Sequence, residues 1–180
     1  MRLNISALSP SASLPFFAFP VRLYLVRHAH AVPEEENARR PLSARGRKTV
    51  RQIAAFFRAS GALQPGHVWH SPLWRARETA EILARGLGLS RKVLVETSGL
   101  LPDDDPAAII RRLASTDEDL ALVGHEPGLG ALATRLVSGK RKPSAFEFKK
   151  GAVLCLERIG ASWQIRWYFS PELLPVAVGE

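Results

Sequence analysis

Three short blocks of this 180-residue chain carry side chains that could act together on a phosphoryl group: Arg27-His28, Arg75 and His125. An arginine beside a histidine offers a fixed cation for a phosphoryl oxygen and a nitrogen nucleophile for the phosphorus. Arg75 stands in Ser71-Pro72-Leu73-Trp74-Arg75-Ala76, and His125 in Gly124-His125-Glu126-Pro127. Any one block can arise by chance in a basic chain. All three, however, follow an apolar strand-like run and precede a loop or a helix start. Helix N-termini present free N–H groups and a partial positive charge. Arg27, Arg75 and two imidazoles converging on such a place would form an oxyanion cage for a dianionic phosphoryl group.

The elements that must position these residues follow from hydrophobic patterning. Leu23 to Val26 is a short apolar run, as expected of a buried parallel strand, and the ligand crevice of an open α/β sheet lies at the carboxyl ends of its strands. Residues 43 to 60 predict a helix with Val50, Ile53, Ala54 and Phe57 on one face and Arg47, Arg51 and Arg58 toward solvent. Ser43 is its expected cap and Gly61 its stop. Val68 to His70 predicts a strand. A helix is then expected from Pro72 with Ser71 as cap and Ala76, Ala80, Leu83 and Leu87 inward. Val93 to Glu96 and Leu120 to Val123 predict further strands. Asp105-Pro106 starts a short helix through Ile109, Ile110 and Leu113, with Asp105 as N-cap. Pro127 opens another helix that ends at Gly139. Residues 152 to 157 and 163 to 169 predict two final strands around a turn at Gly160. This β-α-β-α alternation predicts an α/β domain, a three-layer αβα sandwich with a mostly parallel sheet.

Composition bounds the function classes. Hydrophobic residues make up 46% and charged residues 23% of the chain, as in an ordinary globular domain. No apolar stretch approaches the ~20 residues of a membrane span, so no membrane association is expected. The single cysteine, Cys155, allows no internal disulfide, which suits a reducing cytoplasm. The formal charge of +8 favours acidic partners. Basic clusters at Arg39-Arg40, Arg45 to Arg51, Lys140-Arg141-Lys142 and Lys149-Lys150 are not interleaved with aromatics, so no nucleic-acid surface is expected. They imply a solvated basic surface or, second, a preference for phosphorylated or acidic proteins. Residues 1 to 20 carry Pro10, Pro15 and Pro20 and a Ser-rich stretch. They are expected to be a disordered extension, or an over-extended start with translation beginning near Val21; the domain proper is then 21–180.

The blocks resemble, in order, the motifs of the histidine phosphatase superfamily. Leu25-Val26-Arg27-His28-Ala29 is similar to its RHG signature, with Ala29 at the usual glycine. Pro41-Leu42-Ser43-Ala44-Arg45-Gly46 resembles its PLT-x-x-G stretch. Ser71-Pro72, Arg75-Ala76 and Thr79-Ala80 resemble its SP-x-x-RA-x-x-TA motif, and Gly124-His125-Glu126-Pro127 its second-histidine block. The resemblance runs from about Arg22 to Leu156 and, with the short length, points to the SixA-like phosphohistidine phosphatases. It implies a phosphoglycerate mutase-like fold and no metal or other cofactor. It also implies His28 as the nucleophile that becomes a transient phosphohistidine, with Arg27, Arg75 and His125 as the phosphate cage. A neutral His28 and a protonated His125 would suit these roles, so their pKa values are expected to be pushed apart. The implied substrate is phosphohistidine on a phosphotransfer or phosphocarrier protein, acted on by a cytoplasmic monomer.

The general acid of larger relatives has no matching motif here. Glu34, Glu35, Glu36, Asp103, Asp104, Asp105 and Glu126 are the candidates. A short acid inventory favours a P–N bond, because imidazole, with a pKa of ~6.5, can leave as a neutral molecule once its other nitrogen is protonated, whereas an alkoxide needs a donor from the enzyme. The chain also has no long insertion that could close over the pocket, which suits a histidine displayed on another protein. Three other readings stay open. One is a broad phosphomonoesterase on small esters, and another a phosphoprotein-binding module without turnover. The third is a metal site on His28 and His30, which would need further ligands from His67, His70 or His125.

Overall fold

The computed structural model describes residues 20–140 and 144–174. The expected disordered extension falls, apart from exposed Pro20, outside the described residues. Six strands form one sheet: β1 (Val21–Arg27), β2 (His67–His70), β3 (Leu94–Glu96), β4 (Leu120–Gly124), β5 (Val153–Ile159) and β6 (Ser162–Phe169). Their order is β3-β2-β4-β1-β5-β6. The β3-β2, β2-β4 and β4-β1 pairs are parallel, whereas β5 runs antiparallel to both β1 and β6. The helices are α1 (Ala44–Ser60), α2 (Trp74–Leu87), α3 (Ala107–Leu113) and α4 (Gly128–Ser138).

Strand patterning explains the layers. Successive side chains of a strand point to opposite faces, and in β1 both faces are apolar. Tyr24 and Val26 join one core with α1 and α2, while Leu23 and Leu25 join a second core with α3 and α4. Cys155 is buried in the first core, and burial pushes its thiol up to about 12. The sheet is thus covered on both sides, and the three-layer α/β architecture expected from the sequence is present.

The boundaries of α1 follow its caps: the Ser43 hydroxyl accepts the Gly46 N–H at 3.1 Å, and Gly61 closes the helix at φ +66°. Three local expectations are corrected. The helix expected from Pro72 begins two residues later at Trp74, with Leu73 at the N-cap and no side-chain cap. The Ser71 hydroxyl accepts the Leu73 N–H at 3.3 Å and lies 2.9 Å from His125 Nε2. The third strand loses Val93 to a 3-10 turn, Arg91–Val93, capped by Ser90. Pro106, not Asp105, is the N-cap of α3, although Asp105 Oδ1 accepts the Ala107 N–H at 2.8 Å. Among the described residues, no helix is long and apolar enough to cross a membrane.

Candidate active site

Parallel pairing delivers the three chemical blocks to one edge of the sheet. Arg27 is in register with Gly124, and His70 with Val123. The residues that follow each strand, His28, Ser71 and His125, therefore emerge side by side. Backbone bonds lock this edge: His28 N–H donates to Gly124 O at 3.0 Å and Ser71 N–H to Val123 O at 3.0 Å. The His28 and His125 rings lie 4.9 Å apart, centre to centre, and both are buried.

The hydrogen bonding of His28 sets its tautomer. Its Nδ1 lies 2.7 Å from Ala29 O, an acceptor only, so Nδ1 carries the proton. The Nε2 lone pair is left available. Burial first, then the charges of His125, Arg75 and Arg27, hold His28 at a pKa of about 3, against a bond to Ala29 O that pulls the other way. His125 is also held at about 3, by burial and then by Arg75, Arg27 and Arg40. The expectation that the two values separate is therefore corrected: two imidazoles sharing one dry, cationic place are both neutral. Among the described residues, Arg27 Nε and His125 Nδ1 are buried without a hydrogen-bond partner. A buried polar atom left unpaired costs about 1–3 kcal/mol, and both belong to residues grouped here. A phosphoryl dianion would supply acceptors for Arg27 and raise the pKa of His125.

The blocks are tied to one another by side chains. Thr79 Oγ1 donates to Arg75 O at 2.7 Å and accepts the Ala29 N–H at 3.2 Å, so it joins α2 to the end of β1. Glu78 accepts the Leu42 N–H at 2.6 Å and pairs with Arg47 at 3.0 Å. Arg47 is therefore an ion-pair partner, not the solvent-facing residue its helical position implied. Gly46 allows α1 to approach the loop that follows β1: a Cβ there would stand 2.0 Å from His30 O. Arg27 Nη1 donates to Phe148 O, while Glu126 Oε1 accepts the Phe148 N–H at 3.2 Å. The methyl of Ala29 is fully buried in the α1 and α2 core.

The structure thus brings Arg27, His28 and His125 together, with Arg75 close enough for its charge to act on both imidazoles. Of the candidate acids, Glu126 and Glu34 reach the cage through their charge, Glu126 on Arg27, with burial raising its carboxyl above the ordinary range, and Glu34 on Arg75. Glu126 is engaged with Phe148; Asp104 accepts the Leu101 N–H at 2.8 Å; Asp105 pairs with Arg135. Asp103 and Glu34 to Glu36 are exposed, and of these only Glu34 acts on Arg75 through its charge. His30 bonds Ser43 through Nδ1 at 2.8 Å, His67 pairs with Glu118 at 3.2 Å, and buried His70 bonds Ser71 O. Among the described residues, no group of three or more His, Cys, Asp and Glu could hold a metal ion. Trp74 lies exposed between the guanidinium groups of Arg39 and Arg77, at 5.9 and 5.4 Å from its ring centre.

Three contributors escape sequence reasoning. Ser71 binds the second histidine rather than capping a helix. Glu78 holds the Pro41 loop. Arg40 is half-buried at φ +48° and presses electrostatically on Arg75 and His125. Its position just before Pro41 is the signal that could have separated it from the exposed Arg39.

Comparison with known proteins agrees with this geometry. The profile described as Histidine phosphatase superfamily (branch 1) matches residues 23–98. An uncharacterized protein of Picosynechococcus is 35% identical over 128 residues, which span 67% of this chain and 75% of that protein. Among solved structures, the protein histidine phosphatase SixA complexed with tungstate superposes with a TM-score of 0.75 at 23% identity, covering 86% of this chain and all of that one. A putative SixA from Agrobacterium tumefaciens gives 0.68 at 23% identity over 85% and 99% of the two chains. A putative alpha-ribazole-5'-P phosphatase from Escherichia coli gives 0.68 at 17% identity over 84% and 97%. At these identities the structural matches speak for the fold.

Proposed function

Because the chain belongs to the histidine phosphatase superfamily, we propose that this phosphatase hydrolyses phosphohistidine on another protein, with His28 as nucleophile and Arg27, Arg75 and His125 as the phosphate cage. In this reading His28 Nε2 attacks phosphorus while Nδ1–H stays bonded to Ala29 O. The P–N bond of the substrate breaks, and its imidazole, protonated on the other nitrogen, departs neutral. The phosphorylated His28 ring keeps its own Nδ1 proton, so it too can leave as neutral imidazole when water attacks. The water's proton ends on phosphate or solvent. Positive charge around the equatorial oxygens comes from the arginines and from His125, whose pKa a bound dianion would raise. Neither step requires an enzyme carboxylic acid or a metal ion.

One observation carries this reading: the nucleophile's tautomer is fixed by a backbone carbonyl, while the candidate carboxylates are exposed or held by hydrogen-bond and ion-pair partners. Such a site suits a leaving group that brings its own proton. The partner is then a phosphotransfer domain or phosphocarrier, met by a monomer in the cytoplasm. The test is phosphate release from a histidine-phosphorylated carrier beside p-nitrophenyl phosphate, with EDTA present and with Glu34→Gln as a parallel variant. The expected result is fast, EDTA-insensitive release from the carrier, slow release from the ester, and carrier turnover retained in Glu34→Gln. Preference for the ester, or a hundredfold loss on both substrates in the variant, would move the chain to the broad phosphomonoesterases with Glu34 as acid. Binding of the carrier without turnover would favour the binding-module reading.

A further inference from the structure

A groove of about 690 Å³ opens beside the cage and shares Arg27 with it. One wall is the exposed side of α1, where Arg45 and Lys48 stand one turn apart. The other is Lys149-Lys150, both exposed, with Glu147 nearby and Glu172 on the rim. The second wall is anchored to the nucleophile's strand, because the Gly151 N–H, next in sequence, donates to Arg27 O at 3.1 Å and His28 O at 3.2 Å. His30 lines the floor, and after burial the charges of Lys150 and Arg45 hold its imidazole below the ordinary range.

What sets these cations apart is that four whose charge is unspent line one concavity. Elsewhere Arg47, Arg77, Arg135 and Arg158 each pair with a carboxylate. Among the described residues, none of Arg45, Lys48, Lys149 and Lys150 does. Like charges gathered around a concavity repel one another, and at ordinary salt their field reaches ~8–10 Å. An anionic partner would relieve that repulsion, and Arg27 is common to the groove and the cage.

We propose that this groove docks an acidic face of the substrate protein, its two cationic walls receiving carboxylates that flank the phosphohistidine. The inference rests on the phosphohistidine reading and adds to it the recognition of what surrounds the target residue. Rim charges of this kind govern encounter and partner choice, so the effect should appear in kcat/KM and fade with salt.

The experiment compares two synthetic phosphohistidine peptides, one flanked by glutamates and one by glutamines. The enzymes are the wild type and the Arg45→Glu/Lys48→Glu/Lys149→Glu variant. The readout is the kcat/KM ratio of the two peptides within each enzyme, so a general loss of activity cancels. The expected wild-type preference for the glutamate peptide is about tenfold at low salt, from several exposed pairs of modest strength. It should collapse at 0.5 M NaCl, and the variant should prefer the glutamine peptide. Equal ratios in the two enzymes overturn the docking groove alone. Turnover of p-nitrophenyl phosphate with neither peptide hydrolysed overturns the phosphohistidine reading and the groove with it.

Discussion

In the proposed mechanism His28 attacks as a neutral ring, and its surroundings keep it neutral far below the usual imidazole range. With a value of about 3, carrier turnover should not fall between pH 7 and pH 5 through protonation of His28. An imidazole resonance assigned to His28 that titrates near 6.5 in the NMR spectrum of the wild type would contradict this. The same shift is a stability term. The unfolded chain binds these protons near 6.5 and the folded chain only near 3, for His28 and His125 alike. Their contribution is intact above about 6.5 and is lost as pH falls toward 3. The melting temperature should therefore drop on acidification across that window, with a shallower slope in His125→Gln. An unchanged slope would mean that His125 is not held neutral. Substitution gives the most direct residue-scale expectation. His28→Ala should lose turnover by several orders of magnitude while still binding sulfate. Arg75→Ala should lower kcat/KM by about a hundredfold or more, as removal of one oxyanion donor does. Sulfate binding lost together with turnover in His28→Ala, or an unaltered kcat/KM in Arg75→Ala, would remove the corresponding role.

The elements act by bringing distant motifs into contact, and this is where sequence reasoning was both strong and blind. The strands β1 and β4 were legible because they are buried on both faces and so read as continuous apolar runs; α1 was legible because its cap, stripe and terminal glycine agree. The start of α2 was not. Ser71-Pro72 has the composition of a helix cap, but the Ser71 hydroxyl accepts only the Leu73 N–H ahead of the helix and is shared with His125, a residue 54 positions away that no local pattern reveals. Glu78 was hidden for the same reason, and Thr79, though part of a quoted motif, gave no sign of its bond to the Ala29 N–H, since the partners lie on other elements. These ties make expectations at this scale. Thr79→Val leaves the Ala29 N–H without its acceptor, at a cost of about 1–3 kcal/mol. It also frees the peptide beside His28, so kcat should fall along with stability. Gly46→Ala would drive a methyl against His30 O, where overpacking costs typically 1–3 kcal/mol. Denaturation midpoints equal to the parent in either variant would show that the tie does not hold the site.

At the scale of the whole molecule, the sheet supplies the strand ends on which the site stands, and in the proposed account the basic groove supplies the approach to it. Length, patterning and the order of the motifs sufficed to place the domain in its fold and superfamily. Charge alone did not divide the basic clusters. Arg39 lies over Trp74, Arg40 bears on His125 through its charge and Arg47 pairs with Glu78, whereas Arg45, Lys48, Lys149 and Lys150 face the groove. That division depends on three-dimensional neighbours rather than on residue type. The central claim, a phosphoryl group passing through His28, is tested most directly by quenching the wild type during turnover of a histidine-phosphorylated carrier and mapping enzyme-bound phosphate by mass spectrometry. The account predicts an acid-labile, base-stable phosphoryl group on His28, absent from His28→Ala. Turnover at the full rate in His28→Ala, or phosphate trapped on a different residue of the wild type, would contradict it.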